Sequence, residues 1–478
     1  MRYDVIIGME VHVQVRTASK MFCTCPNAFG APPNTNVCPV CLGYPGVLPT
    51  PNEEAIRKTI VAGLMAGCDI APYSKFDRKA YWYPDMPKNY QLSQYDLPFC
   101  LNGAIPIGGK GLTGTVEPRD VRLTRIHLEE DVGKSTHFGR HSGVDFNRAG
   151  VPLMELVSEP DIHSADEGYL YLVALRQIMQ YAGVSDCDME KGQMRCEPNI
   201  SVRPHGQEAF NPKTEIKNLN SMKAVHHAIG FEVERQIDAL EDGETLRQQT
   251  RGWDDAKGQT FVMRDKEEAH DYRYFPDPDL MPIQISTARL DEIRAQLPEG
   301  PRARRRRFTD KFGLCDYDAG VLCQDKALAD YYEETVAAGA DAKRAANWVM
   351  TEVLRELSHR AIAITDFALR PDRLAGLIAQ IDNGVINDKI AKTVFAEMVT
   401  SPKTAADIVK EKGLEQVTDD SAIDEFVQQA IAENPDAVAE FREGKEKALN
   451  YLVGQVMRFS RGKANPKMAA DALRQALS

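Results

Sequence analysis

The chain of 478 residues is too long for one hydrophobic core, so we expect two to four domains. Hydrophobic residues make up 43% and charged residues 27%, a composition that excludes a mostly disordered chain. No apolar run reaches the roughly 18 residues of a membrane span, and the first residues lack the apolar core of a signal peptide. We therefore expect a cytoplasmic protein that makes no membrane contact. The net charge of -12 means that the average surface repels phosphate, and any contact with nucleic acid requires locally basic segments.

The first predicted strand has one apolar and one polar face. Its odd positions from Val5 to Val15 are apolar, so the opposite face presents Glu10, His12 and Gln14 in a row. Side chains that share a strand face lie about 6 to 7 Å apart, close enough for neighbouring carboxylate and imidazole groups to act together.

Four of the ten cysteines form two close pairs that follow this strand. Cys23 and Cys25 are separated by twelve residues from Cys38 and Cys41, and the intervening segment consists largely of turn-forming residues. Two thiolate pairs that bracket a loop without a core of its own predict a structural zinc site. The alternative is four reduced, buried thiols. A catalytic zinc is disfavoured, because four thiolate ligands leave no open position for a substrate.

Cations and aromatic residues interleave between Lys75 and Gln91, in a segment that includes Lys79 and Lys88. Such a segment can stack on a base and hold phosphates at the same time. An equally acceptable interpretation is a loop whose aromatic side chains fill the core.

Later predicted strands extend the polar face. Alternation places Arg125, His127 and Glu129 on one face of a strand, and Glu155 projects from the next. An antiparallel sheet normally has one solvated face, so no single strand requires a functional explanation. The mixture of carboxylates, histidines and arginines, however, is the set that binds Mg²⁺ and polyphosphate together. This face therefore predicts a site for a metal ion and phosphate. The sequence contains no nucleophile motif and no dinucleotide-binding glycine motif, so these patterns do not identify the substrate.

Beyond about residue 290 the periodicity changes from two to 3.6, which predicts an all-helical region. We expect an α+β protein: a catalytic domain at 1–293 built on a large, mainly antiparallel sheet with flanking helices and a zinc loop at 23–41, then helical domains at 294–405 and 406–478. The main helices are predicted at Asp325 to Ala338, Ala342 to Glu356, Pro371 to Asp382 and Asp388 to Val399, followed by four shorter ones.

Charge is unevenly distributed in the helical region. Five arginines lie between Pro301 and Arg307, which indicates either a solvated helix start or a contact with RNA. Residues 413–440 contain eight acidic and no basic residues, whereas 441–467 contain seven basic and two acidic ones. The basic part of this tail predicts a nucleic-acid contact.

Several of these segments resemble the B subunits of bacterial aspartyl/glutamyl-tRNA amidotransferases, in order and over essentially the whole chain. The first is Ile7-Gly-Met-Glu-Val-His-Val-Gln14, and the tail from Gly444 to Lys467 resembles the C-terminal domain of those subunits. The others are Pro33–Gly46, Arg125–Asp131, Asn147–Glu155, Glu215–Ser221 and Asp271–Leu280.

The resemblance implies a reaction in two steps on a tRNA that carries Glu or Asp in place of Gln or Asn. ATP and Mg²⁺ would serve to phosphorylate the side-chain carboxylate, and ammonia would then displace phosphate. An amidase-type A subunit would release that ammonia from glutamine, and a small C subunit would complete a heterotrimer. The chain would thus be a ligase that forms carbon–nitrogen bonds with glutamine as the nitrogen donor.

The resemblance also assigns residues. Glu10, His12, Glu129 and Glu155 would hold metal ions and carry the reaction, with Glu130 as a further metal candidate; Lys79, Lys88 and Arg148 would contact the phosphates of ATP or of the acyl phosphate. Structural zinc would lie on Cys23, Cys25, Cys38 and Cys41. The tRNA would contact the basic side chains of the tail, Lys445, Lys447, Arg458, Arg461, Lys463 and Lys467.

Two other classes of protein remain open at this level. A noncatalytic tRNA-binding adaptor would keep the basic tail but would not need Glu10 and His12 on one strand. A free-standing ammonia ligase would need no other polypeptide. The sequence does not determine whether Glu-tRNA, Asp-tRNA or both are substrates, which ligand holds which ion, how tRNA identity is read, or which surface docks the partners.

Overall fold

The structure is a computed structural model that describes residues 3–265, 272–416, 420–442, 445–460, 463–464 and 466–477. The chain forms two compact units, Met1–Pro301 and Arg302–Ser478. Within the described residues, every strand lies in the first unit and the second is helical, which confirms the α+β class.

The strands of the first unit vary from two to sixteen residues in length. In chain order they are β1 (Tyr3–Gln14), β2 (Asp69–Ile70), β3 (Tyr73–Ser74), β4 (Asp77–Ala80), β5 (Tyr90–Ser93), β6 (Cys100–Leu101), β7 (Ala104–Lys110), β8 (Thr115–Glu130), β9 (Lys134–Phe138), β10 (His141–Asp145), β11 (Pro152–Ser158), β12 (Met194–Pro204), β13 (Thr214–Lys217), β14 (Gln249–Asp254), β15 (Gln259–Asp265), β16 (Phe275–Pro276) and β17 (Ile283–Gln284).

Ten strands form one large sheet in the order β15-β14-β13-β12-β1-β11-β8-β6-β2, and β7 pairs with a second part of β8. The pairing is antiparallel except between β13 and β14, so the sheet is mainly antiparallel, as predicted. The first strand lies in the middle of this sheet, between β11 and β12.

Helices cover one face of the sheet. The first unit contains α1 (Glu53–Met65), α2 (Ala165–Tyr181), α3 (Met222–Glu241) and α4 (Thr287–Ala295). Ser164 and Ser221 accept backbone hydrogen bonds at the starts of α2 and α3, which fixes where these helices begin. A Cβ on Gly168 of α2 would lie 3.0 Å from Met9 Cε, so this glycine allows the helix to pack closely on β1. The odd residues of β1 therefore enter the core, and the even residues face away from α2 and α3.

The second unit is built from helices around two hydrophobic clusters, one at 308–409 and one at 423–477. Its helices are α5 (Pro301–Phe312, which starts at the unit boundary), α6 (Asp316–Leu322), α7 (Lys326–Ala337), α8 (Ala342–Trp348), α9 (Leu354–Arg360), α10 (Pro371–Asp382), α11 (Asp388–Thr400), α12 (Ala405–Glu411), α13 (Asp420–Glu433), α14 (Pro435–Arg442), α15 (Glu446–Phe459) and α16 (Pro466–Leu477). None of the helices described is both long and apolar enough to cross a bilayer.

Two sequence predictions for this unit differ from the structure. The helix expected at Ala342 to Glu356 is interrupted by a π-helical turn, Val349–Val353, that separates α8 from α9. This turn includes Glu352, a buried carboxylate that pairs with Arg355 and, at 2.9 Å, with Lys392. Five helices follow α11 in the described residues, where four were expected.

Candidate active site and metal centres

Five acidic and histidine side chains converge on the polar face of the large sheet. Oxygen and nitrogen atoms of Glu10, His12 and Glu155 all lie within 4.8 Å of one another, and so do those of His127, Glu129 and Glu155. Glu155 belongs to both groups. The five residues are called the carboxylate–histidine cluster below, and they form two adjoining ligand sets that share one carboxylate.

Strand register brings the cluster together. His12 of β1 is directly opposite Glu155 of β11, and Glu155 is in turn opposite His127 of β8, so three neighbouring strands contribute side chains at one level of the sheet. Glu10 and Glu129 lie two positions away on their own strands and therefore point to the same face. The resulting contacts are 3.4 Å from His12 Nε2 to Glu155 Oε2 and 3.8 Å from His12 Nε2 to Glu129 Oε1.

The charges in the cluster interact strongly. Burial alone would lower the pKa of His12, but its contact with Glu155 and the charges of Glu155, Glu129 and Glu10 raise it to about 9. Burial would raise the pKa of Glu155, yet the positive charges of the two histidines and Lys79 hold it well below the usual range. Burial, with the charge of Glu155, raises the pKa of Glu10. Buried carboxylates lose their hydration, so nearby positive charges stabilise their ionised form.

The donor set of the cluster fits a hard divalent cation. Three carboxylates supply oxygen ligands and two imidazoles supply nitrogen, a combination that suits Mg²⁺ or Mn²⁺ and is not a soft thiolate set. Ser93 donates a hydrogen bond of 3.0 Å to Glu129 Oε2, which orients one carboxylate.

Lys79 is the predicted phosphate contact whose charge interacts with carboxylates of the cluster. Burial opposes its charge, but Glu129, Tyr274 and Glu155 raise the pKa of its ammonium group. Its Nζ lies 5.0 Å from the centre of the Tyr272 ring. A permanently charged lysine next to buried carboxylates is well suited to a phosphate group.

The other predicted phosphate contacts have partners within the protein. Arg148 donates to the carbonyls of Val132 and Gly133 at 2.9 and 2.7 Å and lies 3.7 Å from Asp131. Lys88 pairs with Glu130, so these two predicted site residues neutralise each other.

Glu130 lies apart from the carboxylate–histidine cluster. It follows Glu129 in β8 and therefore points to the opposite face of the strand. Its Oε1 accepts the backbone N–H of Leu92 at 2.9 Å, so the structure does not place this metal candidate with Glu10, His12 and Glu155.

The four predicted zinc ligands come together in a second centre. Sulfur atoms of Cys23, Cys25, Cys38 and Cys41 all lie within 4.8 Å of one another, so the group can bind a metal ion. The backbone N–H of Cys38 donates to Cys41 Sγ at 3.2 Å. A set of four thiolates is the ligand set that zinc prefers.

A buried lysine accompanies the cysteines. Lys20 is fully buried, and its Nζ lies 3.6 Å from Cys41 Sγ and donates at 3.2 Å to the carbonyl of Phe146. A hydrogen bond from Cys23, together with the Cys38 N–H and the Lys20 charge, holds the pKa of Cys41 below its usual value. The lysine thus partly offsets the negative charge of a thiolate centre.

The basic residues of the tail lie on and beside the last two helices. Lys445, Lys447 and Lys467 are exposed; Arg458 also reaches solvent, and Lys463 is half-buried. Lys445 pairs with Glu440 at 3.1 Å, and Arg458 Nη2 lies 3.8 Å from Glu433. Two of the basic residues therefore pair with carboxylates of the acidic segment that precedes them. The sixth candidate, Arg461, lies outside the described residues.

Sequence reasoning did not select several residues that the structure adds to the site. His127 lies two positions before Glu129 on β8, and this shared parity is the signal in the sequence that identifies it as a further ligand. Arg195 donates to Asp131 Oδ1 at 3.0 Å, an ion pair that joins β12 to the loop after β8. Lys20 gave no signal in the sequence, because its burial depends on how the chain folds around the cysteines.

Comparisons with known proteins cover the whole chain. The family model described as the GatB/GatE catalytic domain matches residues 5–291, and the one described as the GatB domain matches residues 330–477. The chain is 50% identical over 481 residues to the B subunit of the aspartyl/glutamyl-tRNA(Asn/Gln) amidotransferase of Carboxydothermus hydrogenoformans, and the match covers 100% of this chain and 99% of the relative. The corresponding B subunits of Moorella thermoacetica and Thermodesulfovibrio yellowstonii are 49% and 50% identical, with at least 99% of both sequences covered.

Proposed function

The chain belongs to the GatB family of tRNA-dependent amidotransferase B subunits, and we propose that its carboxylate–histidine cluster carries the ATP-dependent step of that reaction. The observation that supports this most is the meeting of two ligand sets on one carboxylate, Glu155, beside the cation Lys79. The reaction is the conversion of Glu-tRNA(Gln), Asp-tRNA(Asn) or both into the corresponding amide, a ligation with glutamine as the nitrogen donor.

The chemistry explains why such a cluster is needed. A carboxylate is a poor electrophile, so one of its oxygens first attacks the γ-phosphorus of ATP and ADP leaves. Ammonia then attacks the carbonyl carbon of the acyl phosphate, inorganic phosphate departs, and a proton is lost from nitrogen. Phosphoryl transfer depends on positioning and charge neutralisation more than on a protein nucleophile.

Each residue of the cluster has a proposed part in this step. Glu10, His12, Glu129, Glu155 and His127 would hold Mg²⁺, which when bound neutralises phosphate charge. Lys79 would contact the transferring phosphate. We propose that Arg148 and Lys88 act from outside the cluster. Arg148 orients the loop that follows β8, and Lys88 stays paired with Glu130.

The remaining proposals concern the rest of the chain. Structural Zn²⁺ would be held by the four cysteines, where it would tie residues 23–41 to the domain formed by 1–293. Residues 294–405 would form a connecting helical domain, and 406–478 would bind the misacylated tRNA through Lys445, Lys447, Arg458, Arg461, Lys463 and Lys467. Since the substrate belongs to translation, we place the protein in the cytoplasm.

Membership of a family of B subunits implies partner subunits, and we propose an amidase-type A subunit and a small C subunit in a heterotrimer. Releasing ammonia from glutamine requires an activated nucleophile with a base, and the sequence offers no such motif. Ammonia delivered directly by a partner would reach the acyl phosphate before water does.

The test uses ammonia in place of glutamine, so that only the chemistry of this chain is measured. The heterotrimer is supplied with ATP, Mg²⁺ and either misacylated tRNA, and amide formation is followed for Glu10→Gln and for Glu117→Gln. Glu117 is an exposed carboxylate on β8 that lies outside the cluster, so its variant is the matched control. We expect Glu10→Gln to lose at least about 100-fold in rate and the control to stay active.

This experiment, together with a second assay of the isolated chain with glutamine, decides between the competing classes. Full activity of Glu10→Gln with ammonia would refute the assignment and favour an adaptor role for this chain. Robust amidation with glutamine by the isolated chain would instead indicate a free-standing ligase that needs no partner.

A further inference from the structure

The strands β9 and β10 form a hairpin that pairs with no other strand in the described part of the chain. Every residue from 134 to 143 is exposed, so the rest of the first unit covers neither face of this hairpin. Each strand has five residues and is about 17 Å long. The hairpin adds nothing to the hydrophobic core, which indicates that it serves an external contact.

The charges of the hairpin are all positive. Lys134 and Arg140 carry permanent charges, His137 and His141 add to them when protonated, and residues 134–144 contain no carboxylate. Neither Lys134 nor Arg140 forms an ion pair with any residue that the structure describes. In a chain with a net charge of -12 this is a local exception, and exposed cations without a carboxylate partner attract a polyanion such as nucleic acid.

An exposed aromatic ring accompanies these cations. Phe138 is 65% exposed, and its ring lies over the facing strand, because a Cβ built on Gly143 would be 3.2 Å from Phe138 Cε2. On the same pair of strands His137 Nδ1 lies 2.7 Å from Ser142 Oγ. A ring among cations suits a nucleotide, since a base stacks on the ring while the cations hold the phosphates.

The hairpin connects the two strands that carry Glu129 and Glu155 of the cluster, β8 and β11. At its root the backbone N–H of Gly150 donates to the carbonyl of Asp131 at 2.9 Å. Asp131 is two residues beyond Glu129, which is about 7 Å along an extended chain. A long substrate whose reacting end lies at the cluster can therefore reach the hairpin with the rest of its length.

The cysteine segment, defined as residues 23–41, holds the root of the hairpin through Asn34. The side chain of Asn34 accepts the N–H of Phe146 at 2.8 Å and donates to the carbonyl of Val144 at 3.0 Å. Its backbone N–H donates to the carboxylate of Asp145, also at 3.0 Å. Its φ of 59° is left-handed, a conformation that asparagine tolerates. These three hydrogen bonds are called the Asn34 clamp below.

The Asn34 clamp lies between the two cysteine pairs, so an ion that joins Cys25 to Cys38 would also fix the clamp. Lys20 links the metal centre to the hairpin more directly. Its Nζ lies 3.6 Å from Cys41 Sγ and donates at 3.2 Å to the carbonyl of Phe146. The position of the hairpin therefore depends on the cysteine segment.

We propose that the hairpin binds the RNA backbone near the aminoacylated end of the tRNA, and that the cysteine segment sets the position of the hairpin. This inference rests on the function proposed above, because RNA is the part of that substrate that extends beyond the reacting carboxylate. ATP also carries phosphates, but a hairpin that is exposed on both faces does not enclose a small molecule, whereas RNA can lie along it.

The test removes the charges, the ring and the clamp in separate variants of the heterotrimer. Lys134→Ala/Arg140→Ala removes both permanent charges, and Phe138→Ala removes the ring; these residues lie outside the core, so both variants should fold. Asn34→Ala removes the clamp and leaves the sequence of the hairpin unchanged.

A charge-matched control is available elsewhere in the first unit. Lys110→Ala/Arg176→Ala removes one lysine and one arginine that are also exposed, at the end of β7 and on α2. The readouts are direct binding of misacylated tRNA at several salt concentrations, and the KM values for tRNA and for ATP with ammonia as nitrogen donor.

Lys134→Ala/Arg140→Ala should weaken tRNA binding about tenfold and lower the slope of log affinity against log salt by about 1.4 to 1.8. Phe138→Ala should weaken tRNA binding about fivefold. Asn34→Ala should raise the KM for tRNA severalfold while the zinc content stays the same. The KM for ATP should remain within twofold of the wild type in every variant, and the control should bind tRNA normally.

Unchanged tRNA affinity and salt slope in folded Lys134→Ala/Arg140→Ala would overturn the RNA contact, as would an equal loss in the control. A rise confined to the KM for ATP, or loss of a partner subunit from the heterotrimer, would also contradict it, because the hairpin would then contact ATP or protein. Normal tRNA binding by Asn34→Ala would refute the role of the cysteine segment. Failure of the proposed function is distinct and would appear as retained activity in Glu10→Gln.

Discussion

The two candidate metal centres differ in what holds their ligands in place. The carboxylate–histidine cluster is carried by three adjacent strands of the large sheet, and strand register brings its side chains together. The four cysteines lie in a segment with little regular structure, from 23 to 41, that contributes few side chains to the core. The sheet therefore sets the positions of the first group of side chains, whereas a metal ion would stabilise the second.

The largest effect should follow from neutralising the carboxylate shared by both ligand sets. Glu155→Gln should lower the rate of ammonia-dependent amidation by at least about 100-fold, because both sets lose a charged ligand. Its Tm should fall only modestly, because the lost attraction of Glu155 to the histidines and Lys79 is partly offset by relief of its repulsion of Glu10 and Glu129. Activity and Tm are measured on the same heterotrimer; a Tm that falls steeply together with the activity would contradict a cluster pre-formed by the sheet.

The opposite pattern is expected at the cysteines. Cys41→Ser should release zinc and lower the Tm by about 4 °C or more, because the loop loses the ion that closes it. Cys315→Ser, which changes an exposed cysteine outside the group, is the control. Zinc content by elemental analysis and the Tm by calorimetry check this, under reducing and chelator-free conditions. Zinc-free wild-type protein would refute the site itself.

A smaller effect is expected from the buried lysine beside the cysteines. Lys20→Met keeps the aliphatic stem but removes the charge next to Cys41, so zinc should bind about tenfold more weakly. Competition with a chromophoric chelator measures this affinity directly. Lys58→Met, at a half-buried lysine of α1, is the control. Equal zinc affinity in both variants would mean that Lys20 serves packing alone.

The smallest effect concerns the tail, which should influence neither centre. Replacing Lys447 and Lys467 by Ala should raise the KM for tRNA a few-fold and reduce the salt dependence of binding by about two counterions. Zinc content and the ATP KM should not change. Lys410→Ala on α12, a helix outside the basic tail, is the control. A tRNA salt dependence identical to that of the wild type would remove the tail assignment.

Sequence patterns were most informative where one face of a strand is buried. Alternation in β1 correctly placed Glu10 and His12 on one face, because a shift of one residue would have moved Met9 out of the core. The same reasoning placed Glu129 and Glu155. The cysteine group was predictable because its spacing is a property of a short segment of chain.

Features that depend on long-range partners were not predictable in the same way. The pairing of Lys88 with Glu130 joins residues 42 positions apart, and it needs the turn that brings the aromatic segment onto β8. The π-helical turn at Val349–Val353 contains Glu352, whose partner Lys392 lies on another helix, a contact that helical periodicity does not reveal.

The central claim is that the cluster, and not the cysteine centre, performs phosphoryl transfer to the amino acid. The most direct measurement is transfer of labelled γ-phosphate from ATP to Glu-tRNA or Asp-tRNA by the heterotrimer in the absence of ammonia, quenched within one turnover. We predict that folded Cys41→Ser protein retains labelled acyl phosphate formation and that Glu10→Gln protein loses it. Labelling that persists in Glu10→Gln, or that disappears only in Cys41→Ser, would contradict the account.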